Sequence, residues 1–269
     1  MKHENTILVT WDFTKVSRYA LEYAIRINNQ IPGRIELMHV VSRFSSEDKI
    51  EKIREKVFKA LEKEVEGESI SLNVNIIKGS IVKSLSQYAS ETQADLVVMG
   101  THGIKGIQRI FGSRAYKTQY GSKVPFLIVK DKPQHHEKFS KIVLPIDFRT
   151  ENLEKLESTV YFARYFDSKV YIFKVPAKKK YFKATEQNLA IATKLLDQNN
   201  ISYEIHIAQR PRWYVRDTIK FAQKIEADLI LVMTTQHNFL DFLLGEHEQN
   251  IIDNKASIPV LCVNPLGAI

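Results

Sequence analysis

The sequence predicts an α/β fold that consists of two tandem domains, each with a parallel sheet covered by helices on both faces. Three observations support this prediction. Short apolar runs alternate with amphipathic helical patterns, the whole pattern occurs twice, and the length of 269 residues suits two domains of ordinary size. Hydrophobic residues make up 44% of the chain and charged residues 26%, so each domain has enough apolar material for a core.

Four segments of the first half recur in the second half in the same order. The matched pairs are residues 7–13 with 142–148, 94–99 with 227–233, 112 with 245, and 124–129 with 258–263. The offset between the pairs stays at 133 to 135 residues, which indicates a tandem duplication. We therefore expect a first domain at residues 1–132, a polar linker at 133–140 and a second domain at 141–269.

In the first repeat, short apolar runs predict strands at residues 7–9, 35–41, 72–77, 96–99 and 124–130. Apolar residues at helical spacing predict helices between these strands, and the clearest helix is amphipathic over Glu47–Glu66. Thr14 or Ser17 is expected to cap the helix that follows the first strand. A last helix is expected over Ser113–Gly121.

The second repeat follows the same plan, with strands predicted at residues 141–146, 169–175, 203–208, 229–233 and 260–263. Valine, isoleucine and leucine dominate these runs, as in parallel strands that are buried on both faces. Because the connections are long enough to contain helices, each repeat is expected to be a five-stranded parallel sheet between two helical layers.

The net charge of +8 and the pI of about 9.3 raise the question of nucleic-acid binding. Most of the basic residues alternate with acidic residues on predicted helix faces, so the charge pattern does not favour nucleic acid as a partner. Most of the excess positive charge falls in residues 1–132, which suits an anionic ligand of the first repeat.

The single cysteine, Cys262, excludes an internal disulfide and any zinc site that needs several thiolates. It lies within the last predicted strand, so we expect a buried and unreactive thiol. The sequence holds no apolar run near the ~20 residues that span a bilayer, and it does not begin like a signal peptide. We expect a cytoplasmic protein with no membrane partner.

The most informative local pattern follows the fourth predicted strand. Gly100-Thr101-His102-Gly103 leads, after eight residues, to Gly112-Ser113 at the start of a predicted helix. Glycines let the backbone approach a ligand closely, and the N–H groups at a helix N-terminus favour an anion. Open α/β sheets bind ligands beyond the carboxyl ends of their strands, so this loop is a candidate phosphate cradle.

These features resemble the universal stress protein family along nearly the whole chain. An Asp follows the first strand in both repeats, as Asp12 and Asp147, and an Ala-Asp-Leu motif opens the fourth strand in both. Nucleotide-binding members of that family carry Gly-x-x-Gly, nine residues and Gly-Ser/Thr, whereas the intervening segment here has eight residues. The resemblance implies two tandem Rossmann-like domains of the adenine nucleotide alpha hydrolase-like type.

The resemblance also implies a ligand and its contacts. The ligand would be ATP in the first repeat only, with Mg²⁺ bridging its phosphates and no metal site on the protein itself. Asp12 and Val41 would lie near the adenine and ribose, and Gly100 and Gly103 would approach the ribose and phosphates. The phosphate tail would be held by Gly112, Ser113 and the backbone N–H of Arg114.

The second repeat departs from this pattern. Thr234–His237 stands in place of residues 100–103, and Glu246 follows Gly245 where a serine follows the matching glycine of the first repeat. A carboxylate at the phosphate position repels the ligand, by about 4 kcal/mol at 4 Å and an effective dielectric constant of 20. We expect that the second repeat does not bind ATP in the manner of the family.

Three features allow two interpretations each. Asp12 either contacts the ligand or caps the first helix. Trp11 either faces the cleft or fills the core. The segment Arg210–Tyr214, rich in arginine and aromatic residues, either contacts a ligand or partner or packs between the repeats.

Two functions compete. The leading one is a stress-response regulatory protein that binds adenine nucleotide in the first repeat. No acid–base pair or nucleophile motif in the sequence points to an enzyme, so only slow incidental ATP hydrolysis is expected. The alternative is a ligand-independent interaction scaffold in which both nucleotide sites are vestigial. In either case the duplication and the resemblance imply that the repeats pair as a pseudo-dimer, and a homodimer or an unknown protein partner stays open.

Overall fold

Runs of Val, Ile and Leu form the strands of this chain, and amphipathic helices connect them. The structure, a computed structural model, describes residues 4–101, 124–133, 138–147, 152–175, 179–208, 214–233 and 250–263. It divides the chain into two units, Met1–Gln134 and His135–Ile269. Each unit contains its own set of five parallel strands.

The first unit contains five strands and three helices within the described residues. The strands are β1 (Asn5–Thr10), β2 (Gly33–Val41), β3 (Ser71–Lys78), β4 (Leu96–Gly100) and β5 (Phe126–Val129). The helices are α1 (Lys15–Gln30), α2 (Glu47–Glu64) and α3 (Ile81–Glu91). The strand order is β3-β2-β1-β4-β5, and all pairs are parallel.

The second unit repeats this plan. Its strands are β6 (Lys141–Ile146), β7 (Lys169–Lys174), β8 (Tyr203–Ile207), β9 (Leu229–Met233) and β10 (Val260–Val263). Its helices in the described ranges are α4 (Asn152–Phe166), α5 (Phe182–Gln198) and α6 (Tyr214–Lys224), with a 3₁₀ turn at Lys179–Tyr181. The strand order is β10-β9-β6-β7-β8, again parallel throughout.

The strand order reverses direction beside β1. From β1 the chain proceeds outward to β2 and β3, and it then crosses back to place β4 on the other side of β1. Right-handed crossovers put α1 and α2 on one face of the sheet and α3 on the opposite face. Such a reversal opens a crevice at the carboxyl ends of the two central strands, where open α/β sheets bind their ligands.

The core of the first unit lies around β1 and β4. Leu8, Val9, Val97 and Val98 on these strands have no exposed surface, because helices cover both faces of a parallel sheet. Helix α1 begins after Thr14, whose side chain accepts a hydrogen bond from the backbone N–H of Ser17 at 3.3 Å. Of the two expected capping residues, Thr14 is therefore the N-cap.

The predicted fold class is confirmed, and the predicted strands agree with the observed ones to within a few residues. Strand β5 begins at Phe126 rather than Val124, since Pro125 has no N–H to donate. Helix α2 ends at Glu64, just before Gly67 turns the chain at a φ of +80°. Cys262 is fully buried, as expected, and the helix expected over residues 113–121 lies outside the described residues.

A buried carboxylate, Glu36, ties β2 to β3 and α3. It accepts hydrogen bonds from the side-chain amides of Asn73 at 3.0 Å and Asn75 at 2.9 Å, and from the hydroxyl of Tyr88 at 3.0 Å. The guanidinium Nε of Arg34 lies 3.2 Å from Oε1, the oxygen that Asn73 also binds. These groups offset the cost of burying the carboxylate, which is 6% exposed.

Tyr88→Phe removes one donor from Glu36 and keeps the ring. We expect it to lower the free energy of unfolding by about 1–2 kcal/mol at pH 7, measured by urea denaturation. Tyr19→Phe is the control, because no hydroxyl partner of Tyr19 exists among the described residues, and it should change stability by less than about 0.5 kcal/mol. Equal effects of the two variants would contradict the role of this hydrogen bond.

The same variant predicts a pH dependence. Burial, and next the Glu36 carboxylate, raise the pKa of Tyr88 in the folded protein. The hydroxyl therefore contributes its full stability below the ordinary tyrosine pKa of about 10, and the contribution is lost as the pH rises toward the folded pKa. The stability difference between wild type and Tyr88→Phe should shrink above pH 10, and a constant difference there would contradict the assignment.

Candidate functional site

A cleft opens at the carboxyl ends of the central strands of the first unit, where the strand order reverses. Its volume is about 340 Å³, which is within the range of small-molecule sites. Strand ends, the loop after β1 and the starts of α1 and α3 supply the walls. The lining residues are Thr10, Trp11, Asp12, Ser17, His39, Val40, Val41, Ser42, Gly79, Ile81, Met99 and Gly100.

Three of the seven residues predicted from the sequence line this cleft. They are Asp12, Val41 and Gly100, which come from three different strand ends and are more than 25 residues apart in the chain. The other four lie outside the described residues: Gly103, Gly112, Ser113 and Arg114. The described part of the cleft is thus the part that the resemblance assigns to the adenine and ribose.

Asp12 follows β1 and has an exposed carboxylate. Its Oδ1 accepts hydrogen bonds from the backbone N–H of Thr14 at 3.0 Å and from the Thr14 hydroxyl at 2.5 Å. Asp12 therefore holds the N-cap residue of α1 and is not itself the cap. Oδ1 takes up both bonds, and Oδ2 of Asp12 has no hydrogen-bond partner among the described residues.

Val41 ends β2, and its side chain is buried. Its carbonyl oxygen accepts a hydrogen bond from the N–H of Gly79 at 2.9 Å. Gly79 has a φ of +152°, a conformation that favours glycine. The bond joins the ends of β2 and β3 and fixes the floor of the cleft on this side.

Gly100, the last residue of β4, lies against the first turn of α1. A Cβ built on it would lie 2.1 Å from the carbonyl oxygen of Val16. This distance is too short for any side chain, so the glycine is required by helix packing as well as by its place in the cleft wall. The neighbouring Thr101 is buried, and its N–H donates to the carbonyl of Val129 at 2.9 Å.

Sequence reasoning did not single out His39. Its Nδ1 lies 2.7 Å from the carbonyl oxygen of Trp11, which links β2 to the loop after β1. The ring of Phe13 contacts the imidazole edge to face, with centroids 5.1 Å apart. The sequence feature that could have identified His39 is its position as a polar residue inside the apolar run 35–41, near the end of the strand that reaches the cleft.

Both interpretations of Trp11, as a core residue and as a cleft residue, agree with the structure. Its side chain is only 3% exposed and so belongs to the core, yet the residue also lines the cleft. The indole Nε1 is buried and has no hydrogen-bond partner within the described ranges.

The described cleft holds a carboxylate and an imidazole, but no group of three residues able to hold a metal ion occurs in the described part of the chain. In the described part of the first unit, the groups with shifted pKa values are Glu22 and Tyr88, and neither lines the cleft. Burial is the main cause of the raised pKa in both.

The second unit differs at the matching positions. Leu229 pairs with Ile142 as Leu96 pairs with Ile7, so the counterpart of Gly100 is Met233. The expectation that Thr234 takes this place was one residue out of register.

Two lysines of the second unit also replace residues of the first, one in the core and one in the cleft wall. Counting from Asp12 and Asp147, Ala20 corresponds to Lys155, and strand pairing matches His39 with Lys174. The Lys155 ammonium is buried and donates to the carbonyl of Pro145. Positively charged lysines thus replace small or neutral residues around the end of β6.

Gly100→Ala tests the packing of α1 on β4. The added methyl group would overlap the Val16 carbonyl, so we expect a loss of about 1–3 kcal/mol or more in the free energy of unfolding. Urea denaturation followed by circular dichroism measures this loss. Ser90→Ala, at an exposed position of α3, is the control and should be close to neutral. An unchanged stability of Gly100→Ala would mean that α1 does not press on this residue.

The similar proteins of known sequence or structure include several universal stress proteins. A universal stress protein of Methanocaldococcus jannaschii is 28% identical over 141 residues, which is 48% of this chain and 82% of that protein. The structure of a universal stress protein from Archaeoglobus fulgidus matches with a TM-score of 0.74 at 17% identity, over 97% of this chain and 96% of that one. A structure from Pseudomonas aeruginosa matches with a TM-score of 0.64 at 15% identity, over 97% and 94%. At these identities the structures show the fold.

The family comparison covers both units. The model of the universal stress protein family matches residues 4–130 and, a second time, residues 138–264. The two matches together span nearly the whole chain, which confirms the resemblance seen in the sequence and its tandem arrangement. The chain belongs to the universal stress protein family.

Proposed function

We propose that this protein is a stress-response regulator that binds ATP, or a closely related adenine nucleotide, in the cleft of its first unit. The observation that carries the proposal is the meeting of Asp12, Val41 and Gly100 around one cavity. The family resemblance assigns all three to the nucleotide. Their convergence at the carboxyl ends of the central strands is the arrangement expected for a nucleotide site in an open α/β sheet.

The cleft suits the nucleoside half of such a ligand. Its apolar wall, formed by Trp11, Ile81 and Met99 among others, offers surfaces against which a planar base packs. The free oxygen of Asp12 is an acceptor for the hydroxyl or amino groups of the nucleoside. The volume of about 340 Å³ suits the nucleoside half and leaves the phosphates outside the described cleft.

In this proposal Mg²⁺ would be bound mainly by the phosphates of the nucleotide. Within the described residues no cluster of three ligating side chains exists, and Mg²⁺ is commonly held by one or two protein groups, water and substrate phosphates. When bound, the ion would neutralise phosphate charge. The residues of this chain would hold the nucleoside and orient the phosphate tail.

The proposed activity is regulation by binding and not catalysis. We propose no proton-transfer role for the one carboxylate and the one imidazole of the described lining. Nucleotide binding would stabilise the first unit by mass action. We propose that this changes how the two units associate with each other, as a pseudo-dimer, or with a second chain.

One site per chain follows from the changes in the second unit. Met233 puts a side chain at the position of Gly100, and Lys155 puts a buried ammonium at the position of Ala20, bound to the Pro145 carbonyl. The sequence adds Glu246 next to the expected phosphate position. We therefore propose that the second unit has a structural or interaction role.

No helix in the described residues is long and apolar enough to cross a membrane. The proposed location of this regulator is the cytoplasm, where ATP is abundant. Nucleic acid is not among the proposed partners, because basic and acidic residues alternate along the helices.

Mass spectrometry of small molecules released from the freshly purified protein tests the ligand directly. We expect an adenine nucleotide at no more than one molecule per chain, and calorimetry with ATP should give micromolar binding at that stoichiometry. Binding to two sites would contradict the role of the second unit. If no nucleotide is released and none binds, the chain is the ligand-independent scaffold.

Asp12→Ala and Asp147→Ala form a matched pair, because each aspartate follows the first strand of its own unit. We expect Asp12→Ala to weaken ATP binding about tenfold or more, since it removes a charged acceptor from the cleft, and Asp147→Ala to leave binding unchanged. Calorimetry measures both, and circular dichroism verifies that each variant is folded. Equal losses in the two variants would contradict a site confined to the first unit.

A further inference from the structure

His39 lies at the carboxyl end of β2, where it lines the cleft. Its Nδ1 is 2.7 Å from the carbonyl oxygen of Trp11. A carbonyl oxygen only accepts hydrogen bonds, so Nδ1 must carry the proton and donate it. In the neutral imidazole, the proton on Nδ1 leaves Nε2 with a free lone pair, which is an acceptor.

This acceptor is available. No hydrogen-bond partner of Nε2 occurs among the described residues, and the nitrogen is not among the buried polar atoms that lack a partner. The residue is partly exposed where it lines the cavity. A ligand in the cleft can therefore reach Nε2 where solvent now does.

The ring is also held in a fixed orientation. Besides its bond to Trp11, it contacts the edge of Phe13 with centroids 5.1 Å apart and ring planes at 67°. Phe13 has a φ of 67°, which is unusual for a residue with a side chain. The ammonium of Lys56 lies 4.4 Å from the centroid of the Phe13 ring. These contacts limit rotation of His39 before any ligand binds.

We propose that His39 Nε2 accepts a hydrogen bond from the ligand and so selects nucleotides that present a donor at this point. The inference rests on the proposed nucleotide site and names a specificity residue within it. Two donors of an adenine nucleotide have the required chemistry, a ribose hydroxyl and the exocyclic amino group of the base. A ligand with a carbonyl at the contact would place acceptor against acceptor and bind more weakly.

The second unit supports the assignment by its difference. Strand pairing matches His39 with Lys174, because Ile35 pairs with Ile7 as Val170 pairs with Ile142. Lys174 offers only donors, and its ammonium binds the carboxylate of Glu186. The acceptor is therefore a property of the first unit alone, like Gly100.

Two variants separate the acceptor from the anchor to Trp11. In His39→Asn the amide N–H can replace Nδ1–H and keep the bond to the Trp11 carbonyl, but no acceptor reaches the place of Nε2. In His39→Gln the longer amide places an oxygen near the position of Nε2 and loses the anchor. We expect His39→Asn to bind ATP about tenfold more weakly at nearly unchanged stability. His39→Gln should bind more tightly than His39→Asn but be less stable.

Analogues of ATP identify the donor. Calorimetry compares three analogues with ATP. 2′-Deoxy-ATP lacks the 2′-hydroxyl, 3′-deoxy-ATP lacks the 3′-hydroxyl, and inosine triphosphate lacks the exocyclic amino group. The analogue that lacks the donor to His39 should bind the wild type about tenfold more weakly than ATP does. The His39→Asn variant should bind this analogue and ATP with equal affinity, because the contact is already lost there.

The outcomes are distinct. If the wild type binds ATP and His39→Asn binds it equally well, the inference is wrong and the proposed function stands. If every analogue loses the same affinity in wild type and His39→Asn, His39 does not contact a donor and the inference is again overturned. If the wild type binds no nucleotide, the proposed function fails and the inference fails with it.

A spectroscopic measurement tests the contact independently of affinity. In ¹⁵N-labelled protein, the His39 resonance, assigned by its loss in His39→Gln, should show a protonated Nδ1 and an unprotonated Nε2. On addition of ATP the Nε2 resonance should move in the direction of a hydrogen-bonded nitrogen while Nδ1 stays in place. A purely structural histidine would show no shift at Nε2.

Discussion

The cleft of the first unit depends on one close contact, the approach of the first turn of α1 to Gly100 at the end of β4. A Cβ at this position would lie 2.1 Å from the Val16 carbonyl oxygen, so glycine alone lets the helix begin where it does. The start of the helix fixes its N-cap, Thr14, and Thr14 in turn holds the carboxylate of Asp12. Burial of α1 against the sheet stabilises the whole chain of contacts.

The loop between β1 and α1 is held by polar contacts at both ends. Phe13 adopts a positive φ, which costs on the order of 1–3 kcal/mol for a residue with a side chain. The Asp12–Thr14 bonds and the His39–Trp11 bond act on either side of it. A loop fixed in this way presents its acceptors in one orientation, which lowers the entropy lost when a ligand binds.

Much of the fold followed from the sequence because burial leaves a regular pattern. Parallel strands covered on both faces are continuous apolar runs, and these runs placed every described strand within a few residues. The site was harder. Asp12, Val41 and Gly100 were found through a family resemblance, whereas His39 and Trp11 depend on contacts between residues 28 positions apart. The sequence alignment placed Thr234, and not Met233, opposite Gly100. This error arose because the apolar residues of a buried strand resemble one another, and only the pairing of β9 with β6 fixes their alignment.

The two units show why a site diverges sooner than a core. The buried face of α4 repeats that of α1, with pairs Leu21 and Leu156, Ile27 and Phe162, and Ile31 and Phe166. Apolar exchanges of this kind preserve burial, and cores tolerate them. A ligand site depends instead on a few polar atoms and on space left open. In the second unit Lys155 stands where the first has Ala20, and burying its ammonium is tolerable because the Pro145 carbonyl binds it. A polar exchange of this kind changes the chemistry beside β6, while the apolar pairs around it keep the core.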